Sequence, residues 1–578
     1  MSDNTKHSAG QNFLKGALVL GIANLIVKLI GAGFKIPLIG LIGDDGSGYF
    51  NVAYQIYTFM FIIATAGFPA AISKMVSESL ARGAEYEAHR TFKIALRLLT
   101  VVGLLGTLIL FIFADELASL MLMPDASLGI ALIAPAVFFV AVNSAYRGYF
   151  QGRQNMYPTA FSEVIESTGK MVLGLIAAYI FTSMTVNDSL EGVIDFASRE
   201  ISSPHLQTVF ASSGAIFGVT AGTFLACVLL TIIYFVHRRR TKIERSAKSS
   251  SDGKILKSLI MIAIPITIGA SVSSLTTLID MGTITHRLVV RPEVFEKYAF
   301  MFTKGTDFFR KAVAEGWEGA ELLAQKATTL YGMYTGKALT MFNLPLTLVV
   351  ALGTSVVPAI SAAVARSKSN EARTVTESTL IIATLFAAPC AIGMAVLSKE
   401  ILNLLFGDYN AHMVLSILSL AIIPVALVQV SNSILQAYGR VYKPVIHMVI
   451  GGMIKVLINF FCIPYLGIDG APVGTGVCYL VIAVLNIRAI IKTAGIKFEW
   501  SSFIIKPVIA AAVMGAVGFA LSAFLPMSRL LCLVEIAICA VVYGISVFAV
   551  KAIKKEDILT LPKGDKIAKL LEKYKLVK

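Results

Sequence analysis

The sequence predicts an all-α polytopic membrane protein of about fourteen transmembrane helices, arranged as two six-helix lobes related by pseudo-two-fold symmetry plus two C-terminal helices. Three observations predict it. First, 56% of the 578 residues are hydrophobic, only 15% are charged, and the mean hydropathy is +0.77. Apolar stretches of about 20 residues or more recur from end to end, each long enough to cross ~30 Å of hydrocarbon. A soluble chain of this length would instead split into domains with polar surfaces and linkers. Second, the connecting segments alternate in charge. Third, short motifs of the first half return in the second.

The candidate spans are 12–40, 49–80, 90–114, 126–150, 158–183, 211–236, 256–287, 329–364, 374–397, 412–438, 444–466, 470–491, 503–525 and 528–550. One set of connections is basic: "ARGAEYEAHRTFK", "RGYFQGR", "HRRRTKIERSAKSSSDGKILK", "ARSKSNEAR", "GRVYK" and the C-terminal tail. The alternating set is acidic or mixed, as in "GDDGSG", "NDSLEGVIDFASRE" and "FGDYNAH". Short basic loops stay cytoplasmic, so both termini are expected inside, which requires an even number of spans. The net charge of +15 is then topological, with attraction to anionic lipid headgroups, and gives no reason to invoke nucleic acid. The polar start merges into a long apolar segment, so no cleaved signal peptide is expected. The six cysteines lie within apolar segments without CxxC spacing or a histidine cluster, which points to packing thiols and to no metal site.

The expected domains are a six-helix lobe over 1–237, a basic cytoplasmic linker over 238–257, a second lobe over 258–492 carrying an external insertion at 288–328, two further helices over 493–552, and a cytoplasmic tail over 553–578. In the tail, Ile567, Leu570, Leu571 and Tyr574 form a helical apolar stripe beside lysines. Such a stripe fits either the inner membrane surface or an ordinary solvated helix.

The duplication rests on two echoes. "GRQNMYP" after span four returns as "GRVYKP" after span ten, and "FPAAISKMV" at the end of span two returns as "VPAISAAVA" at the end of span eight. Six spans per repeat is even, so the halves share orientation, the arrangement in which lobes rock about a central site.

The segments "VKLIGAGFKIPL" (27–38), "GFPAAISKMVSE" (67–78), "YRGYFQGRQNMYPTAFSEVIE" (146–166), "NLPLTLVVALGTSVVPAISAA" (343–363) and "ILQAYGRVYKP" (434–444) resemble the MurJ lipid II flippases and their SpoVB-type relatives. These belong to the multidrug/oligosaccharidyl-lipid/polysaccharide (MOP) exporter superfamily. The resemblance covers nearly the whole chain. It implies a flippase that moves a polyprenyl-diphosphate-linked saccharide, foremost lipid II, from the inner to the outer leaflet of a bacterial cytoplasmic membrane by alternating access. It implies no covalent chemistry and no cofactor beyond Na⁺ or H⁺ coupling. The partners are then the undecaprenyl-type substrate and membrane lipids, and a monomer is compatible with this.

Intramembrane charges mark the expected site, because an ionisable side chain at bilayer depth costs about 2.5–3.5 kcal/mol and faces a cavity or a partner. Lys28 and Lys35 are seven residues apart on one face of span one, with Gly31 and Gly33 between them and Pro37 beyond. Span seven carries Asp280 and Arg287, again seven apart, and span eight carries Lys337. If spans one, two, seven and eight line the space between the lobes, Lys28, Lys35, Arg287 and Lys337 face a common cavity suited to a diphosphate, whose oxygens take charge-assisted hydrogen bonds. The resemblance implies the same diphosphate handle, although the better-known members use arginines where this chain has Lys28 and Lys35. Asp280 is either a counter-ion or a site of Na⁺ or H⁺ coupling. Glu163, Glu166 and Lys170 share a face of span five. With Lys455 in the equivalent second-lobe span, they read as an ion-pair cluster bracing the helices. Glu535 stands in span fourteen without an assigned role.

Other functions fit less well. A MATE-type antiporter would have twelve spans and acidic cavity residues. A membrane glycan polymerase or ligase would want a compact acid pair in a large external loop. No "GxxxxGK[ST]" motif is present for ATP. Flippases for other cell-envelope polysaccharide precursors share the diphosphate and are not separated from lipid II by these residues.

Overall fold

A computed structural model of the chain describes residues 3–187, 194–195, 198, 200–240, 251–496 and 500–552. Half of the basic linker (241–250) and the tail 553–578, with its apolar stripe, lie outside the described residues. The described chain forms two compact units: Met1–Val289 with Glu296–Gly332, and Val290–Phe295 with Met333–Lys578.

In the first unit, α1 (Asp3–Thr65) runs through spans one and two, and is broken at Gly43 (φ 70°, ψ −172°). Only glycine adopts that left-handed backbone readily, so "GDDGSG" forms a kink rather than a loop. The helix stops at Ala66–Gly67 and resumes as α2 (Phe68–Ala81). Then follow α3 (Glu85–Ile112), α4 (Ala114–Leu120), α5 (Ser127–Gly152) and α6 (Tyr157–Thr182). Three two-residue strands, β1 (Thr185–Val186), β2 (Ile194–Asp195) and β3 (Glu200–Ile201), make a small sheet in the order β1-β3-β2, which the all-helical reading did not anticipate. α7 (Pro204–Arg240) and α8 (Asp252–Leu288) complete the spans of this unit. α6 and α7 pack almost backbone to backbone. A Cβ on Gly218 would lie 2.4 Å from the Gly174 Cα, so the "GAIFGVTAG" run supplies the small residues that close helix contact in a bilayer requires.

The insertion forms a 3₁₀ segment (Pro292–Met301), α9 (Asp307–Glu315) and α10 (Gly319–Met333). In the second unit a π-helical turn (Tyr334–Ala338) leads into α11 (Leu339–Ala365), α12 (Ser369–Val396), α13 (Ser398–Phe406), α14 (His412–Leu420), α15 (Ile422–Ala437), α16 (Tyr442–Leu466) and α17 (Gly470–Ala494). After a second π-turn (Ser501–Ile505), α18 (Lys506–Phe524) and α19 (Arg529–Ala549) end the described chain.

Among the described residues, nine helical stretches are long and apolar enough to cross a membrane, or ten if α14 and α15, bent by 44°, count as one span. Two of the nine, Val19–Ala81 and Tyr442–Ala494, are 63 and 53 residues long. At 1.5 Å per residue each has the length of more than one crossing. Span seven, α8, packs with the first unit, because Leu259 and Ala263 are buried in the same apolar core as Ala71, Ile72, Phe92 and Tyr146.

Candidate functional site

In the first unit, α1 presents Lys28 and Lys35 about 10 Å apart along one helical face. Lys28 is exposed and Lys35 half-buried. The Lys35 Nζ donates to Asn51 Oδ1 at 3.0 Å, and Asn51 is aimed by its own amide, which donates to the Ser47 carbonyl at 2.7 Å and to Ser47 Oγ at 3.1 Å. Both anchors lie just past the Gly43 kink, which turns the second half of α1 so that Asn51 meets Lys35.

α6 supplies a third cation. Its Ser167 hydroxyl donates to the Val27 carbonyl at 3.3 Å, seating α6 against the Lys28 turn of α1. One turn on, the Lys170 ammonium lies 4.1 Å from the centroid of the Tyr54 ring and 5.3 Å from that of Phe34. Phe34, Phe50 and Tyr54 form an aromatic ladder, with Phe50 stacked on Tyr54 at 5.8 Å. Lys170 and Lys35 stand near enough that their charges repel. Among the described residues no carboxylate forms a salt bridge with Lys28, Lys35 or Lys170.

Glu166 is neutralised by Arg147 of α5, whose Nη2 donates to Glu166 Oε2 at 2.7 Å while its Nε donates to Ser162 Oγ at 3.0 Å. Arg147 belongs to "RGYFQGR", read from sequence as a cytoplasmic connection, but α5 continues to Gly152 and carries it inside the bundle. The expected cluster of Glu163, Glu166 and Lys170 is thus divided. Glu166 pairs across to α5, Lys170 turns to the α1 rings, and Glu163 keeps a buried Oε2 without a hydrogen-bond partner. Lys455 is half-buried on α16 in the second unit.

Arg287 and Asp280 belong to the first unit and Lys337 to the second. Arg287 is half-buried near the end of α8, and Asp280 is buried two turns before it. Lys337 lies in the π-turn of the second unit, 4% exposed, with its Nζ 2.8 Å from Asp408 Oδ2. That carboxylate already balances its charge. Within the first unit Lys170 joins Lys28 and Lys35 through partners on α1 that helix periodicity within span five cannot reveal.

At the kink end of α1, the insertion is docked by a buried polar network. Lys311 of α9 pairs with Asp45, with side chains 11% and 12% exposed. Tyr49 Oη donates to Gln325 Oε1 at 2.6 Å, Gln325 Nε2 donates to Asp125 Oδ2 at 2.7 Å, and His205 Nε2 lies 3.4 Å from Asp125 Oδ1. The Trp317 ring meets the His205 ring edge-on at 4.9 Å.

This architecture, a long-helix bundle with unneutralised cations inside a membrane-spanning unit, is that of a polytopic transporter. The chain aligns with a solved lipid II flippase MurJ in an inward closed conformation at a TM-score of 0.64, with 13% identity, covering 92% of this chain and 98% of that one. It also aligns with an inward-facing MATE family transporter of the MOP superfamily at 0.57, with 14% identity, covering 82% and 99%. The fold is that of the MurJ and MATE transporters. Residues 13–190 match the family model for polysaccharide biosynthesis proteins, and residues 322–539 match that for lipid II flippase MurJ. Among curated proteins, stage V sporulation protein B of Bacillus subtilis is 23% identical over 96% of this chain and 98% of its own length. The lipid II flippase MurJ of the same organism is 24% identical over 87% and 86%. The chain is thus similar to MurJ and to stage V sporulation protein B, as its sequence motifs suggest, and those of its relatives whose names state an activity are flippases and transporters.

Proposed function

We propose that the chain flips a polyprenyl-diphosphate-linked saccharide, with lipid II as the foremost substrate, from the inner to the outer leaflet of a bacterial cytoplasmic membrane. Fourteen crossings, cytoplasmic termini and alternating access belong to this reading. The observation that carries it is the trio Lys28, Lys35 and Lys170, three cations without a salt bridge among the described residues of a membrane-spanning unit. Lysine offers three donors, and Lys35 spends one on Asn51. Two remain for phosphate oxygens. Lys170 lies against π faces rather than a carboxylate, so it has no salt bridge to break before meeting an anion. A diphosphate thus meets cations that do not have to leave a counter-ion first. Arg287 is kept as an outer contact, and Asp280 as a counter-ion or coupling residue.

A second reading is a flippase for another cell-envelope polysaccharide precursor. The polysaccharide biosynthesis match over 13–190 and the likeness to a sporulation protein favour it. The diphosphate handle is common to both readings. The test is complementation: the essential lipid II flippase of a bacterium is depleted, this chain is expressed, and externally accessible lipid II is followed. Rescue by the wild type but not by well-expressed Lys28→Ala and Lys35→Ala is expected. Rescue by both variants would remove the cationic site while keeping the substrate. A correctly inserted wild type that fails to rescue would remove lipid II.

A further inference from the structure

In the first unit α8 packs against α2 and α3 through a shared apolar core. Deep in that contact the backbones touch: a Cβ on Gly67, just before α2, would lie 2.1 Å from the Ala263 carbonyl oxygen of α8. Nearer the start of α8 the three helices part and enclose a cavity of about 250 Å³. Two hydroxyls line it, that of Ser79 on α2, 3% exposed, and that of Thr91 on α3, 1% exposed. Among the described residues neither has a hydrogen-bond partner. Elsewhere in these helices serine and threonine hydroxyls return to the backbone, as Thr107 does to the Ala134 carbonyl. A buried hydroxyl left unpaired costs free energy, so these two call for an occupant of the cavity.

Charge on the same walls says what kind of occupant. Three cations and two carboxylates line the cavity. The Lys74 Nζ lies 3.9 Å from Glu78 Oε1, and the Arg82 Nη2 lies 3.7 Å from Glu87 Oε2. Both carboxylates are therefore taken. Lys254 of α8 remains, with no salt bridge among the described residues. Its neighbour Asp252 is already held by Arg90 of α3, a pair that ties α3 to α8 beside the cavity. One positive charge is thus left over. A zwitterionic headgroup would bring an ammonium for which no lining carboxylate is spare. A phosphate diester of single negative charge closes the balance and takes a charge-assisted hydrogen bond from the lysine.

We propose that this cavity binds a glycerol phosphate ester, the headgroup of an anionic phosphoglycerol lipid, with the phosphate on Lys254 and the polar oxygens on Ser79 and Thr91. Basic pockets between spanning helices at the cytoplasmic side suit such headgroups, and on the expected topology the cavity opens at the inner leaflet. The occupant joins α2, α3 and α8 at the end where their apolar contact has run out. The site shares no residue with the lysine trio of α1 and α6 and stands whichever lipid-linked substrate the chain carries. The same ester group also exists in solution as glycerol 3-phosphate, and the test separates the two sources.

The experiment titrates the full chain in detergent with phosphatidylglycerol and, separately, with phosphatidylethanolamine, read by native mass spectrometry beside the thermal midpoint. Phosphatidylglycerol is expected to bind and to raise the midpoint, and phosphatidylethanolamine to do neither. Thr91→Val keeps the shape and breaks no hydrogen bond of the fold. It should leave the lipid-free midpoint in place while weakening phosphatidylglycerol binding roughly 2- to 12-fold, the range of one neutral hydrogen bond. Lys254→Gln should weaken it about fivefold, the effect of one cation beside an anionic headgroup. Lys257→Gln, exposed on the same helix and outside the cavity, should change it little. Glycerol 3-phosphate that displaces the lipid and raises the midpoint by itself would make the soluble ester the ligand, and failure to do either assigns the site to the lipid. Equal binding of the two lipids overturns the site, as does a Lys257→Gln effect equal to that of Lys254→Gln with Thr91→Val at wild-type affinity. Should Lys254→Gln fail to fold, the wild-type comparison of lipids and Thr91→Val still decide.

Discussion

Replacing Lys35 by alanine separates binding from stability in a direction that ordinary damage does not follow. In the fold, Lys35 has one partner, Asn51 Oδ1 at 3.0 Å, and no salt bridge among the described residues. Removing it strands the Asn51 oxygen, which costs about 1–3 kcal/mol. It also removes a cation from bilayer depth, which returns about 2.5–3.5 kcal/mol. The folded protein should therefore lie between about 0.5 kcal/mol less stable and about 2.5 kcal/mol more stable than wild type. Binding should move the other way. One lost charge-assisted hydrogen bond to a phosphate oxygen is worth about 1.5–3 kcal/mol, or roughly 10- to 150-fold in Kd. The assay is titration of the purified chain with undecaprenyl diphosphate, read by native mass spectrometry, beside the thermal midpoint of the same preparation. Lys35→Arg should recover part of the affinity, since it restores the charge but replaces a compact ammonium with a planar fork. Wild-type Kd in Lys35→Ala would refute the diphosphate role. A large fall in the midpoint would show that Lys35 is a structural residue instead.

Arg147→Ala should destabilise the first unit, because it leaves the half-buried Glu166 carboxylate without its partner. The double variant Arg147→Met/Glu166→Gln should regain most of that, as read from thermal unfolding. Lys311→Met should lower the midpoint through the stranded Asp45 carboxylate and make the insertion more sensitive to protease, with Lys311→Met/Asp45→Asn restoring protection. Gly218→Ala places a methyl group against the Gly174 backbone, where no side chain can yield. Overpacking of about 1–3 kcal/mol is expected, with reduced yield of folded protein in detergent.

Much of this was legible in the sequence, and the limits have physical causes. Lys28 and Lys35 stand out because a cation in an apolar run is costly wherever it faces. Lys170 was visible as a charge, but its partners were not. Phe34 and Tyr54 come from α1, and a ring that holds an ammonium looks in sequence like any core aromatic. Arg147 was assigned to a basic connection because hydropathy cannot tell the last turn of a buried helix from the loop after it. Asp408, in "FGDYNAH", read as an outer acidic loop, yet it reaches Lys337. Glu535 was noticeable as a charge in an apolar span. The packing of α8 was hidden by a repeat argument that counts spans and carries no information about which core a span fills.

The docking of the insertion onto the kink of α1 also sets a timetable for making the protein. Tyr49 and Gln325 are 276 residues apart in the chain. At a synthesis rate of about 5–20 residues per second, the kink is finished roughly 14–55 s before its partner exists. During that interval Asp45 and Tyr49 await Lys311 and Gln325, although α1 to α8 are already available to assemble. The first half of the chain is therefore not a self-sufficient product of the ribosome: its oldest helix is completed by residues that are translated after all its other spans.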